Sequence, residues 1–104
     1  MKQYPVEITD KALKDMEEIY YNIAINLQSP GNAMGQYDRI AAVAEKLVFF
    51  PEKYKLVDFE PEYSQGLRRI IIDNYSVFYV FKDEKVTVVR VLFSASDIEK
   101  RLSE

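Results

Sequence analysis

Residues 67–93 contain three runs, LRRIIID at 67–73, YSVFYVF at 75–81 and VTVVRVLF at 86–93, parted only by Asn74 and by KDEK at 82–85. Their β-branched and aromatic side chains suit a pleated, half-buried surface. Connections so short leave no room for a crossover, so the runs are predicted to pair as an antiparallel meander. In the second run both alternation registers are apolar: Tyr75, Val77, Tyr79 and Phe81 on one side, Phe78 and Val80 on the other. A sheet packed on one face only would show polar residues on its free face. Something is therefore expected to cover part of the second face, either the chain's own ends or a partner chain.

The first half of the chain has a different period. Residues 4–8, YPVEI, read as a short strand with Val6 and Ile8 on one face and Pro5 at its start. From Asp10 onward, Leu13, Met16, Ile19, Tyr20, Ile23 and Leu27 recur every three or four residues, with Lys11, Lys14, Asp15, Glu17 and Glu18 mostly on the other side. That is an amphipathic helix, which Thr9 or Asp10 can cap. SPGN at 29–32 breaks it and starts a second helix to about Phe50, with Ala33, Tyr37, Ile40, Ala41, Ala44, Leu47 and Val48 on one stripe. So short a connection predicts an antiparallel hairpin, and Pro51 ends it. Residues 51–65 read as a connector pinned to the core by Leu56, Val57 and Phe59.

With 104 residues, 48% of them hydrophobic, the chain is expected to form one domain over 1–104. No apolar run is long enough to span a bilayer and the start lacks a signal-peptide stretch, so a cytoplasmic protein without membrane contact is expected. Cysteine and histidine are both absent, which removes disulfides, thiolate metal sites and the commonest neutral-pH base. No metal or cofactor is expected. Fourteen basic against seventeen acidic side chains, net −3, make direct DNA binding unexpected. The imbalance is uneven: residues 1–65 hold seven basic and eleven acidic side chains, residues 66–104 seven and six.

At residues 91–97 the sequence VLFSASD runs from a strand into two hydroxyl residues and an acid. Ser96 stands three before Glu99, with Ile98 and Leu102 at helical spacing, so it reads as the cap of a short last helix. The competing reading, a catalytic serine, lacks a base to activate it. Arg68 and Arg69 are neighbours in a strand and must point to opposite faces, as surface charge or as contacts to phosphate or an acidic partner. Arg90, set among Val88, Val89, Val91 and Leu92, must find a carboxylate or open onto a groove. Tyr75 and Tyr79 share a face, for packing or for stacking on a base. Asp58, Glu60 and Glu62 read as a solvated connector.

In this order of elements, and most of all in residues 67–97, the chain resembles the toxins of the RelE/ParE superfamily of type II toxin–antitoxin systems. The matching residues are Arg69, Asn74, Tyr75, Tyr79, Asp83, Arg90, Val91, Leu92 and Asp97, and FFPEKY at 49–54 is similar too. The fold implied is α+β: a short N-terminal strand, an antiparallel helix hairpin, a three-stranded antiparallel meander and a short C-terminal helix. The function implied is a toxin neutralised by a cognate antitoxin, with Arg69, Tyr75, Tyr79, Arg90 and Phe93 as the partner-binding set. Superfamily members either cleave messenger RNA on the ribosome or poison DNA gyrase.

Many nuclease-type relatives carry a histidine or a basic pair where this chain has Phe93, Ser94, Ala95 and Ser96, and a basic residue where it has Ser76. Cleavage by 2′-hydroxyl attack needs a proton acceptor and positive charge at the phosphorane. The resemblance thus points to the gyrase-binding, non-enzymatic branch. The alternatives are a ribosome-dependent ribonuclease using Arg68, Arg69, Arg90 and Tyr79 with Lys53 and Lys55, or a non-toxic antitoxin-binding relative.

Overall fold

The computed structural model describes residues 2–104. Strand β1 (Val6–Ile8) leads into helix α1 (Asp10–Tyr21), a π-helical turn (Asn22–Asn26) and helix α2 (Pro30–Lys46). After the connector come β2 (Leu67–Ile72), β3 (Tyr75–Lys82), β4 (Lys85–Phe93) and helix α3 (Ile98–Leu102). The sheet runs β1-β4-β3-β2, with β1 parallel to β4 and the other pairs antiparallel. This is the expected α+β arrangement. The first meander turn is one residue longer than its sequence suggests and the second two residues shorter. Ile72 pairs with Tyr75 and Lys82 with Lys85, leaving two residues in each turn, and Asp73, Asp83 and Glu84 take positive φ to close them.

The two apolar registers of β3 divide the core. Tyr75, Val77, Tyr79 and Phe81 join Ala12, Met16, Ile40, Ala44 and Leu47 beneath the helix hairpin. Phe78 and Val80 meet Val57 and Phe59 of the connector and Ile98 and Leu102 of α3. The chain's own connector and last helix thus cover part of the second face, while Ile71 on that face stays 65% exposed. Strand β4 changes face partway. Tyr79 pairs with Val88 but Phe78 with Arg90, so Val89 is an extra residue in a β-bulge. The bulge keeps Val91 on the helix-covered face with Val86 and Val88 and moves Arg90 off that face.

Several expectations need correction. Helix α1 buries Ala12, Asp15 and Met16, whereas Leu13 is exposed and Leu27 lies 65% exposed beyond the helix. Asp15 is therefore an inward-facing residue. The regular α-helix ends at Tyr21, and the π-helical turn takes the chain to Leu27. Helix α2 stops at Lys46, before the expected Phe50. Of the three connector anchors, Val57 is buried and Phe59 half-buried, while Leu56 is exposed and bridges to Arg68 through its backbone. The Ser96 cap does not form. Asp97 accepts from the Lys100 amide and caps α3, while the Ser96 hydroxyl donates back to the Phe93 carbonyl. A carboxylate one residue nearer the helix outcompetes the serine. Thr9 does cap α1, accepting from the Ala12 amide at 3.1 Å.

Candidate functional site

Beyond Ile8, β1 ends while β4 continues, leaving the β4 backbone without a strand partner on that side. Helix α1 fills the gap with one carboxylate. Asp15 accepts from the Val91 amide at 3.0 Å and from Arg90 Nε and Nη2 at 2.7 and 3.0 Å, while Arg90 Nη1 donates to the Arg101 carbonyl at 2.7 Å. Arg90 is 6% exposed. Hydrogen bonding to Asp15 raises its pKa further above an already high value. A bidentate arginine–carboxylate pair with its remaining donor and acceptor satisfied is the arrangement in which buried charge is tolerated. It ties α1, β4 and α3 together.

Above this lock, a groove of about 510 Å³ opens between the end of α1 and the end of the sheet, its lining including Ile19, Leu27, Tyr75 and Phe93 together with Glu18 and Arg101. Tyr75 and Phe93 are paired by register across β3 and β4, and their rings meet edge-on at 5.8 Å. Partial burial raises the Tyr75 phenol pKa. Phe93 is 47% exposed. The π-helical turn carries the chain to Leu27 on the opposite lip. The β2–β3 turn that sets Asn74 and Tyr75 is held from α2, with Asp73 accepting from Arg39 Nε at 2.9 Å and from Gln36 at 3.1 Å. Arg39 first, then Gln36, holds the Asp73 carboxyl below its usual pKa. A groove that mixes apolar side chains with the amides of Asn22 and Asn74 and the charges of Glu18 and Arg101 suits an amphipathic protein segment.

The remaining sequence candidates lie elsewhere. Tyr79 is fully buried and its hydroxyl donates to the Pro51 carbonyl at 2.7 Å. Burial pushes its pKa up to about 12, against a smaller opposing pull from Arg68. Arg68 donates to the carbonyls of Tyr54 at 2.6 Å and Glu52 at 3.3 Å. Arg69, on the other face, donates from Nε to Ser76 Oγ at 2.9 Å, lies over the Phe78 ring at 5.5 Å, and continues through Ser76 to Ser94 Oγ at 2.8 Å. It borders a 500 Å³ hollow shared with Lys53 and Lys55 beside the outer edge of β2.

Of the five partner-binding candidates, the structure brings only Tyr75 and Phe93 together at the surface. Arg69 serves a separate hollow, and Tyr79 and Arg90 are interior. Sequence reasoning missed Asp15 and the lips at Asn22 and Leu27. The need of Arg90 for a carboxylate was the one signal that could have pointed to Asp15. No three metal-ligating side chains gather at one place among the described residues, and no helix there is long and apolar enough to cross a membrane.

Solved structures share this architecture. A chromosomal ParDE toxin–antitoxin system from P. aeruginosa superposes with a TM-score of 0.73 at 19% identity, covering 88% of this chain and 96% of that one. The RelBE2 toxin–antitoxin complex from Mycobacterium tuberculosis gives 0.63 at 19% identity over 88% and 98%. An archaeal RelE–RelB complex from Pyrococcus horikoshii OT3 gives 0.59 at 19% over 89% and 97%. At such identities the likeness is one of fold. No curated protein sequence matches the chain. The family described as the ParE toxin of the type II toxin–antitoxin system parDE matches residues 6–98. The match spans every strand and both long helices, and the chain therefore belongs to the ParE family of type II toxin–antitoxin toxins.

Proposed function

We propose that this toxin is neutralised by a cognate antitoxin seated in the Ile19–Leu27–Tyr75–Phe93 groove, and that it acts by binding DNA gyrase rather than by cutting RNA. The carrying observation is that three of the six side chains a ribonuclease would draw on, Arg68, Tyr79 and Arg90, are engaged inside the chain, which leaves only Arg69, Lys53 and Lys55 at the surface. Arg90 is held by Asp15, Arg68 by two carbonyls, and Tyr79 by Pro51. A phenol with a pKa near 12 is a poor proton acceptor at neutral pH. The groove offers contact area in place of chemistry. The antitoxin reading draws support from the similar structures, which are described as a toxin–antitoxin system and as toxin–antitoxin complexes.

The test is induced expression with and without the neighbouring reading frame, followed by growth and by message integrity. Arrest with intact messages, relieved when the neighbouring protein is co-expressed and co-purifies, is the expected result. Codon-phased cuts that diminish in Arg69→Ala would instead favour ribosome-dependent cleavage, with Arg69, Lys53 and Lys55 as its accessible cations. Normal growth with antitoxin binding intact would identify a non-toxic relative.

A further inference from the structure

On the hairpin, away from the groove, Glu17, Tyr20 and Tyr21 of α1 and Met34 and Tyr37 of α2 line an open cleft of 270 Å³. The spacings are three and four residues on α1 and three on α2, so each helix presents its share on one side. The Tyr20 ring stands nearly perpendicular to both neighbours, at 86° and 5.4 Å from Tyr21 and at 89° and 6.4 Å from Tyr37. Perpendicular rings around a small hollow with a carboxylate at the rim are the elements of an aromatic cage for a cation. Elsewhere the chain covers ring faces with its own cations, Lys2 over Tyr4, Lys53 over Tyr54 and Arg69 over Phe78. Among the described residues no cation lies over these three tyrosines, and Glu17 forms no ion pair.

We infer that this cleft receives the side chain of a lysine or arginine presented by a protein partner. Charge complementarity selects that occupant. Glu17 at the rim and Asp38, next in sequence to Tyr37, are exposed, in the half of the chain where acids outnumber bases by eleven to seven. A purely apolar occupant would leave Glu17 without a counterpart. The cleft is separate from the Phe93 groove, so its occupancy does not depend on the antitoxin assignment.

The experiment is a titration of the intact protein, followed by tyrosine-ring NMR, with capped Gly-Lys-Gly and Gly-Arg-Gly tripeptides. Their acetyl-lysine and citrulline counterparts serve as neutral controls. Saturable shifts confined to Tyr20, Tyr21 and Tyr37 are expected, at least about fivefold weaker for the neutral peptides and about threefold weaker in Glu17→Gln. Tyr21→Ala should abolish them. Both variants change exposed side chains, and Glu17→Gln alone suffices should Tyr21→Ala unfold. Equal binding of charged and neutral peptides, indifference to Glu17→Gln, or no saturable shift at tens of millimolar peptide would each overturn the inference.

Discussion

Two arginines of the sheet, Arg69 on β2 and Arg90 on β4, both stand in strands rich in branched aliphatic residues, Arg69 beside a second arginine, and have opposite fates. Arg90 is 6% exposed, held twice by Asp15 and once by the Arg101 carbonyl. Arg69 is half-buried, gives one bond to Ser76 and rests on Phe78. The difference comes from topology. Strand β4 outruns β1 and exposes backbone donors that α1 must satisfy, and a buried carboxylate supplied for that purpose demands a cation. Strand β2 has connector residues along part of its outer edge, with Lys55 and Val57 bonded to Arg69 and Leu67 through backbone groups, so no carboxylate is required there. One arginine became scaffold and the other stayed available.

The contrast is broken most severely at the lock. Asp15→Ala or Arg90→Ala leaves a buried charge unpaired and should cost about 3–5 kcal/mol, enough to unfold much of a chain this small. The double change Asp15→Leu with Arg90→Met should recover part of that loss in urea titrations, because two charges leave the interior together while the Val91 amide loses its acceptor. A double variant as unstable as either single one would mean that the geometry of the pair, rather than neutralisation, holds α1 to β4.

The next effect comes from alkali. Burial pushes the Tyr79 phenol up to about 12 from the ordinary tyrosine value of about 10, so the folded state holds the proton more tightly. Its contribution is complete below about pH 10 and lost as pH rises towards 12, amounting to roughly 2–3 kcal/mol. Denaturant midpoints measured across that window should fall, and Tyr79→Phe should remove this share of the decline. An unchanged slope in the variant would place the titrating group elsewhere.

How far these differences could be read in advance depended on the element. Alternation in 67–93 foretold the meander because β-branched and aromatic residues leave little choice, and the double apolar register of β3 foretold a partly covered second face. The bulge was not visible. Val88, Val89, Val91 and Leu92 fit either register, so strict alternation would have put Arg90 under the helices. Asp15 looked solvent-facing because it stands among Lys14, Glu17 and Glu18, and only a partner 75 positions away makes it interior. The groove was half legible. Tyr75 and Phe93 belong to β3 and β4, but Leu27 joins them only because a π-helical turn follows Tyr21, and no residue in NIAIN announces one.

Smaller effects separate binding from folding. Phe93→Ala removes a half-exposed ring from the groove and should alter stability by less than about 1 kcal/mol, while weakening antitoxin binding by about 2 kcal/mol, near thirtyfold. Calorimetry of the complex beside a urea curve of the free toxin would show the split. Equal losses in both would make Phe93 a packing residue. Smallest is Arg69→Ala, expected within about 1 kcal/mol in stability, since Ser76 keeps Ser94 as a hydrogen-bond partner. If Arg69 contacts the target, toxicity should drop several-fold with the fold intact. A collapse comparable to Arg90→Ala would erase the distinction between the two arginines.

Central to the proposal is a toxin that would work by contact, with the buried Arg90 and Tyr79 held in the scaffold. The most direct test is supercoiling by purified DNA gyrase with micromolar toxin, alone and premixed with its antitoxin. The account predicts inhibition by the free toxin that the antitoxin abolishes. Gyrase left untouched, with translated messages cut in a parallel reaction, would contradict it.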